Sequence, residues 1–300
     1  MTDLSLKRKE VTTHSAISVV NAIPAGRGVT IGIDIPCKVR VSIGRSANSK
    51  INIKSNFRDQ HNLIATSLNY AMKKIGVKLP RSSTIFISIK SKIPPAVGLK
   101  SSSAVSVAVV KAVVELFSSK LDNESILKVS SIASKDSKAS LTGAYDDASA
   151  CLLGGMVFTD NTRFKILRHT RVPKRLGSNV ALLVPNYRKK LTSSIDRRVF
   201  SKYKEKSLRA FQYALNGEVV QAMLLNSVIQ CASLRYPIRP VISAIREGAT
   251  AAGVTGKGPA VSALCSNVRT LQRVTERWQE ENPDCRVINT SIVQPERLIQ

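Results

Sequence analysis

Two short segments hold the residues best suited to chemistry. The first, Ile93-Pro-Pro-Ala-Val-Gly-Leu-Lys-Ser-Ser-Ser-Ala104, sets a lysine and three serines behind two prolines and a glycine. The prolines end a preceding strand, Gly98 lets the backbone turn closely, and the serines stand where a long apolar segment begins. A helix start of this kind presents unpaired N–H groups and a partial positive charge, which is what phosphate oxygens require. Lys100 adds a full charge, and Ser101 to Ser103 add hydroxyls able to bind phosphate or Mg²⁺. An ordinary serine-capped helix fits the same residues, and on composition alone it is the commoner of the two.

The second segment is Thr142-Gly-Ala-Tyr-Asp-Asp-Ala148. Phosphoryl transfer needs a carboxylate that orients or deprotonates the attacking hydroxyl while fixed donors and a metal absorb charge on the phosphate. Two adjacent aspartates cannot point at one place, so Asp146 and Asp147 cannot share that task. The bland alternative is a pair of carboxylates complementing the dipole of a helix that starts near Ala148.

Two other phosphate signatures fail. Gly253-Val-Thr-Gly-Lys-Gly258 approaches a Walker A loop, but Ala251 stands at its first glycine and Gly258 replaces the Ser/Thr that would hold magnesium. Gly26-Arg-Gly-Val-Thr-Ile-Gly32 is one residue too long for a dinucleotide-binding turn.

Hydrophobic periodicity outlines the elements that must position these segments. Residues 17–43 are rich in Val and Ile and are punctuated by Gly26, Gly28, Gly32 and Pro36, which predicts short strands joined by tight turns, with another strand near Ile51 to Ile53. Leu63, Ile64, Leu68, Ala71, Met72 and Ile75 recur at helical spacing and Gly76 closes that helix; Thr84 to Ile89 alternates as a strand. Ser101 to Phe117 has six valines but the length of a helix, and its apolar residues surround the axis, so a helix buried on most faces is expected. Further helices are expected at residues 124–135, 194–215, 219–232 and 237–247, and strands at 155–159, 164–169, 180–184 and 287–292. Thr255 to Ala260 reads as a turn entering a helix that contains Val261 to Leu264. Helices and strands mixed without strict alternation give an α+β fold.

The chain has 300 residues, 43% of them hydrophobic, enough to bury a real core and to exclude disorder as its main theme. Its 46 Lys+Arg against 20 Asp+Glu leave a charge of +26, a field that attracts anions. Half of the excess, +13, falls in residues 161–210. Nucleic-acid binding is the rival reading of that charge, with Phe164, Tyr187, Phe200 and Tyr203 interleaved among the basic residues, but no helix-turn-helix, zinc-finger or RNP signature accompanies them and aromatic content is 5%. Five scattered cysteines and three histidines draw neither a zinc cage nor a disulfide framework, so a reduced, cytoplasmic protein is expected. No apolar run reaches membrane-spanning length, and Asn21 and Pro24 break the run after Lys7 to Lys9 that would imitate a secretory leader. Nothing in the sequence fixes an oligomeric state.

Pro94-x-x-x-Gly98-Leu99-x-Ser101-Ser102, with Ser103-Ala104 following, resembles the P-x-x-x-G-L-x-S-S-A phosphate loop of the GHMP kinases, which include galactokinase, homoserine kinase and mevalonate kinase. More narrowly, GLKSSSA, TGAYDDASA, AMLLNSVIQCASL and GATAAGVTGKGPAVSAL are similar to segments of the archaeal type of shikimate kinase, and these resemblances span Ser15 to about Leu264. The resemblance implies a GHMP-kinase-like two-subdomain fold of mixed sheets packed with helices: an extension over 1–13, an N-terminal subdomain over 14–165 and a C-terminal subdomain over 166–300. It implies ATP as phosphoryl donor, Mg²⁺, and a small-molecule acceptor, shikimate, phosphorylated on its 3-hydroxyl. Homoserine kinase shares the loop, but the GLKSSSA and AYDDA forms argue against it.

Carried over residue by residue, ATP would be held by Pro94, Pro95, Ala96, Val97, Gly98, Leu99, Lys100, Ser101, Ser102, Ser103 and Ala104, with Lys100 also catalytic. In the family's G-x-x-D pattern the catalytic acid falls on Asp146, with Asp147 orienting or capping. Ser102 and Asp136 are the implied metal ligands, although Asp136 has a shorter side chain than the family's usual glutamate and a solvated helix-end charge explains it nearly as well. Gly256 would border the acceptor, Asp34 reads either as a hydrogen-bond partner of a substrate hydroxyl or as a turn or strand-end aspartate, and one cation of the basic window Arg188, Lys189, Lys190, Arg197 and Arg198, with Arg197 the candidate, would hold the acceptor carboxylate. Lys257 departs from the family's usual small residue and reads either as a phosphate contact or as an outward-pointing charge.

Overall fold

β-branched residues carry the chain out and back as two long antiparallel strands, β1 (Arg8–Val20) and β2 (Arg27–Arg45). They are seen in a computed structural model that describes residues 7–45, 50–55, 60–79, 83–186 and 198–299. The glycines and Pro36 do not divide β2 into short strands as expected. His14 pairs with Pro36 and Ser15 with Ile33, so Asp34 and Ile35 form a bulge that accommodates the proline without breaking the ladder. β1 starts inside the stretch expected to be a polar extension; residues 1–6 lie outside the described residues.

β3 (Lys50–Ser55), α1 (His61–Lys74), β4 (Ser83–Ser91), α2 (Ser101–Leu116), α3 (Asn123–Asp136), α4 (Tyr145–Leu153), β5 (Met156–Asp160) and β6 (Lys165–Thr170) follow. The first sheet has the order β3-β4-β2-β5-β6, with β1 on the other edge of β2; only β3 and β4 run parallel. α2 packs against β1, β2, α1, α3 and α4. It is buried all round, with only Ser102, Lys111 and Glu115 partly exposed, as its apolar circumference predicts.

The second sheet, ordered β10-β7-β9-β8, is built from β7 (Asn179–Pro185), β8 (Ala251–Val254), β9 (Val261–Cys265) and β10 (Cys285–Ser291). Its helices are α5 (Arg198–Ser201), α6 (Lys204–Leu215), α7 (Val219–Leu234), α8 (Arg239–Arg246) and α9 (Val268–Glu281). The expected single helix over 194–215 is divided into α5 and α6, with 194–197 outside the described residues. The helix expected over Val261 to Leu264 is β9 instead, a fully buried strand between β7 and β8. A short apolar run has no period to distinguish the two, and the sheet decides it. α9 was not anticipated, though Asn267 caps it by accepting from Thr270 N at 2.9 Å, and Thr270, Val274 and Trp278 form its buried stripe.

One hydrophobic core runs through both halves, from Ile17 and Ile31 through Val105 to Val180 and Met223, while a smaller cluster around Trp278 lies with the second sheet. α7 packs on both β8 and β1, so the second sheet is docked against the first strand of the chain. By sheet membership the first half extends to Thr170, because β6 pairs with β5.

Candidate active site

Between β4 and α2 the backbone is left-handed at every second residue: Ala96 (φ 57°), Gly98 (φ 93°) and Lys100 (φ 63°). Such alternation folds successive N–H groups into a concavity that suits an anion. The buried side chains of Val97 and Leu99 anchor the loop, while Pro95 and Ala96 are exposed at its tip. The first helical bond runs from Ala104 N to the Lys100 carbonyl at 3.0 Å, which leaves the N–H groups of Ser101, Ser102 and Ser103 without an intrahelical acceptor. The phosphate loop inferred from the sequence therefore has the backbone geometry of an anion site.

A segment 155 residues further along braces this loop. Thr255 Oγ1 donates to the Gly98 carbonyl (3.2 Å), and Ala260 N donates to the Val97 carbonyl (3.1 Å). A Cβ on Gly98 would lie 2.2 Å from the Thr255 carbonyl oxygen, so only glycine allows that approach. β1 completes the brace: Ser18 Oγ accepts from Gly256 N (3.2 Å) and from Lys100 Nζ (2.7 Å), Ser15 Oγ donates to the Leu99 carbonyl (2.8 Å), and Asn21 Nδ2 donates to the Gly256 carbonyl (2.7 Å).

α4 begins three residues earlier than expected, after left-handed Gly143 and Ala144, so both aspartates lie in its first turn. Successive helical residues point about 100° apart, which sends them to different partners. Asp146 turns in toward β2 and β5: its Oδ1 accepts from Asn161 Nδ2 at 2.7 Å, its Oδ2 is 3.5 Å from Thr30 Oγ1, and its backbone N–H donates to Asn161 Oδ1 at 3.2 Å. Asp147 turns toward the phosphate loop and pairs with Lys100 Nζ at 2.8 Å. The turn carrying Asn161 is fixed by Asp160, which accepts from Thr162 N (3.0 Å) and Arg163 N (3.2 Å) and pairs with Arg27. Burial works against the Asp160 carboxylate, but the hydrogen bonds from Thr162 and Arg27 prevail and hold its pKa down to about 2.

Asp146 behaves in the opposite way. Burial, reinforced by the neighbouring Asp147 charge, raises its pKa to about 7 against the pull of Lys100 and the Asn161 hydrogen bond. A carboxyl group poised there accepts a proton near neutrality, as a general base must. Lys257, on the bracing segment, is lowered to about 8 by burial, with Lys100 adding to the effect and Asp147 opposing it.

The structure thus brings together Lys100, Ser101 to Ser103, Asp146, Asp147 and Gly256, and Gly256 lies beside Lys100 and Gly98. It separates Asp34 from them. That residue is exposed at the β2 bulge, faces His14 at 3.6 Å, and lies roughly 20 Å along the strand from Gly28, which touches Asp146. Arg188, Lys189, Lys190 and Arg197 lie outside the described residues; Arg198 is exposed on α5. Asp136 is an exposed residue at the end of α3 and accepts a hydrogen bond from Tyr70. Ser102 Oγ lies 3.4 Å from Gln60 Nε2, and no group of three or more His, Cys, Asp or Glu among the described residues is arranged to hold a metal. A magnesium ion arriving with phosphate oxygens would meet the Ser102 hydroxyl at this helix start. Sequence reasoning missed Ser18, Thr30 and Asn161. Ser18 carried a readable signal, a hydroxyl in the apolar run Ile17 to Val20 that needs a buried partner.

An anion-suited turn tied by the Lys100–Asp147 pair to a helix that carries a buried carboxyl is an arrangement that phosphoryl transfer can use. Residues 62–155 match the family model described as GHMP kinases N terminal domain. Shikimate kinase of Pyrococcus furiosus is 34% identical over 268 residues, covering 89% of this chain and 93% of its own, and that of Thermococcus kodakarensis is 33% identical, covering 90% and 95%. Among solved structures, homoserine kinase of Cytophaga hutchinsonii superposes with a TM-score of 0.76 at 16% identity, covering 98% of each chain. Mevalonate kinase of Methanococcus jannaschii does so with 0.74 at 17%, covering 95% and 98%; both share the fold. The chain belongs to the GHMP kinases, in the branch that holds the archaeal shikimate kinases.

Proposed function

We propose that this chain transfers the γ-phosphoryl group of ATP to the 3-hydroxyl of shikimate, releasing ADP and shikimate 3-phosphate. The observation that carries the reading is the 2.8 Å Lys100–Asp147 ion pair, which ties the phosphate loop to the helix bearing Asp146. The shikimate kinase names of relatives that match over nearly their whole length support the acceptor. Loop N–H groups and the Lys100 ammonium hold the phosphates and stabilise charge on the transferring group. Magnesium bound with ATP would neutralise phosphate charge, with Ser102 as a protein ligand. Asn161 donates to Asp146 Oδ1 at 2.7 Å, whereas Oδ2 lies 3.5 Å from Thr30 Oγ1 and would receive the proton of the acceptor hydroxyl. That proton moves to Oδ2 as the hydroxyl oxygen bonds to phosphorus and the β–γ bridge breaks.

ADP release with Mg²⁺ and ATP, measured against shikimate, homoserine, mevalonate and galactose, tests the proposal. Turnover confined to shikimate is expected. Turnover with another acceptor alone would replace the substrate, and none with any would overturn the kinase reading.

A further inference from the structure

We infer that Thr159 is a positioning residue for the proton transfer: its hydroxyl fixes the Asn161 amide so that Asn161 donates to Asp146 Oδ1, which leaves Oδ2 as the atom that takes the proton. The inference rests on the kinase reading above. Thr159, in β5, lies opposite Gly28 of β2, and a Cβ on Gly28 would meet Asp146 Oδ2 at 2.3 Å, so the carboxyl is laid against the β2–β5 ladder. Thr159, Asn161 and Asp146 are all buried there. The Asn161 backbone is held separately, by its N–H donating to the Gly26 carbonyl at 2.8 Å. What the Thr159 hydroxyl governs is therefore the side chain.

A side-chain amide has an oxygen end and a nitrogen end, and its neighbours decide which faces where. Two donors reach the Asn161 oxygen, the Asp146 backbone N–H at 3.2 Å and Thr159 Oγ1 at 2.8 Å. A backbone N–H can only donate, so the end beside it must be the oxygen, and the shorter Thr159 bond holds it there. Nδ2 is then turned to Asp146 Oδ1 at 2.7 Å, with Thr142 Oγ1 at 3.5 Å as its other neighbour. An N–H aimed at Oδ1 keeps a proton off that oxygen, so a proton arriving at this carboxyl settles on Oδ2. The contacts that β2 and β5 make with Asp146 are uncharged: Gly28, Thr30 and Asn161. Its charged neighbours are Asp147 and Lys100, while Arg27 and Asp160 nearby are paired with each other.

Thr159→Val keeps the shape of the side chain and removes its hydroxyl, whereas Thr159→Ser keeps the hydroxyl and removes a methyl. Infrared carboxyl bands, taken as the difference between each protein and the same protein carrying Asp146→Asn, follow the Asp146 titration without any turnover. The pH dependence of kcat with ATP, Mg²⁺ and shikimate follows the same group at work. Without the Thr159 hydroxyl the amide is free to turn, and the hydrogen bond that favours the Asp146 carboxylate weakens. Thr159→Val is therefore expected to raise the infrared midpoint by about 0.5–1 pH unit and to move the acidic limb of kcat up with it. It should lower kcat about tenfold, with KM for ATP and for the acceptor unchanged to within about twofold. Thr159→Ser should restore the midpoint, the limb and kcat. A midpoint unmoved in Thr159→Val, or moved equally in Thr159→Ser, would mark Thr159 as packing alone and overturn the inference. Should Thr159→Val not fold, Thr159→Ala set against Thr159→Ser makes the same comparison. A wild-type protein that phosphorylates no acceptor would overturn the kinase reading and the proton-transfer role with it; turnover of shikimate with an unmoved infrared midpoint would sink this inference alone.

Discussion

Replacing Asp146 by Asn keeps the shape of the side chain and an oxygen for the Asn161 hydrogen bond, but removes the ability to take a proton. Two effects of opposite sign follow. Loss of a positioned general base lowers kcat by roughly 10²–10⁴, with the loop that holds the nucleotide untouched. Stability moves the other way. The folded protein raises the pKa of this carboxyl from 3.8 to about 7, so folded chains bind more protons than unfolded ones between those values and stability falls as pH rises through that window. Three units at about 1.4 kcal/mol each give a ceiling of ~4 kcal/mol of strain above pH 7. The amide is exempt from it. Spread over an unfolding entropy of roughly 0.6 kcal/mol/K for a chain this long, the ceiling corresponds to a Tm about 6 °C higher than wild type at pH 8, shrinking to nothing near pH 4. Steady-state turnover and thermal unfolding at several pH values measure both. A variant with kcat within tenfold of wild type, or with a Tm advantage that grows toward acid, would refute the assignment of Asp146 as a buried base.

The acidic limb of the pH–rate profile should move with Asp146's neighbours: Asp147→Asn removes a charge that raises its pKa and shifts the limb to lower pH, whereas Asn161→Ala removes a hydrogen bond that lowers it and shifts the limb up. Equal shifts in one direction would contradict this. Gly28→Ala places a methyl 2.3 Å from Asp146 Oδ2, so kcat should drop at least tenfold with a stability loss of about 1–3 kcal/mol, read from initial rates and urea unfolding. Ser18→Ala removes the acceptor shared by Lys100 Nζ and Gly256 N, and should raise KM for ATP more than KM for the acceptor.

What the sequence disclosed was what lies contiguous in it. Residues 94–104 and 142–148 are local motifs, and each runs into a helix start, which fixes the geometry of its own neighbours. Asn161 and Thr30 act on Asp146 from 15 and 116 residues away, and no local pattern marks such partners. Asp34 misled because a bulge, invisible in the residue pattern, turns it outward. β9 misled because a buried run of five residues, four of them apolar, has the same appearance as strand or helix until a sheet receives it. The long valine-rich α2 was legible because its length outweighs β-branched propensity when every face is buried.

The brace on the phosphate loop also orders events during synthesis on the ribosome. Lys100 and Asp146 emerge early, yet the phosphate loop acquires its Thr255 and Ala260 supports only after another hundred residues have been made. Nascent chains stalled before that point should fold much of the first sheet and still fail to retain nucleotide, so ligand capture reports completion of the last long-range junction rather than formation of the motif that touches the ligand.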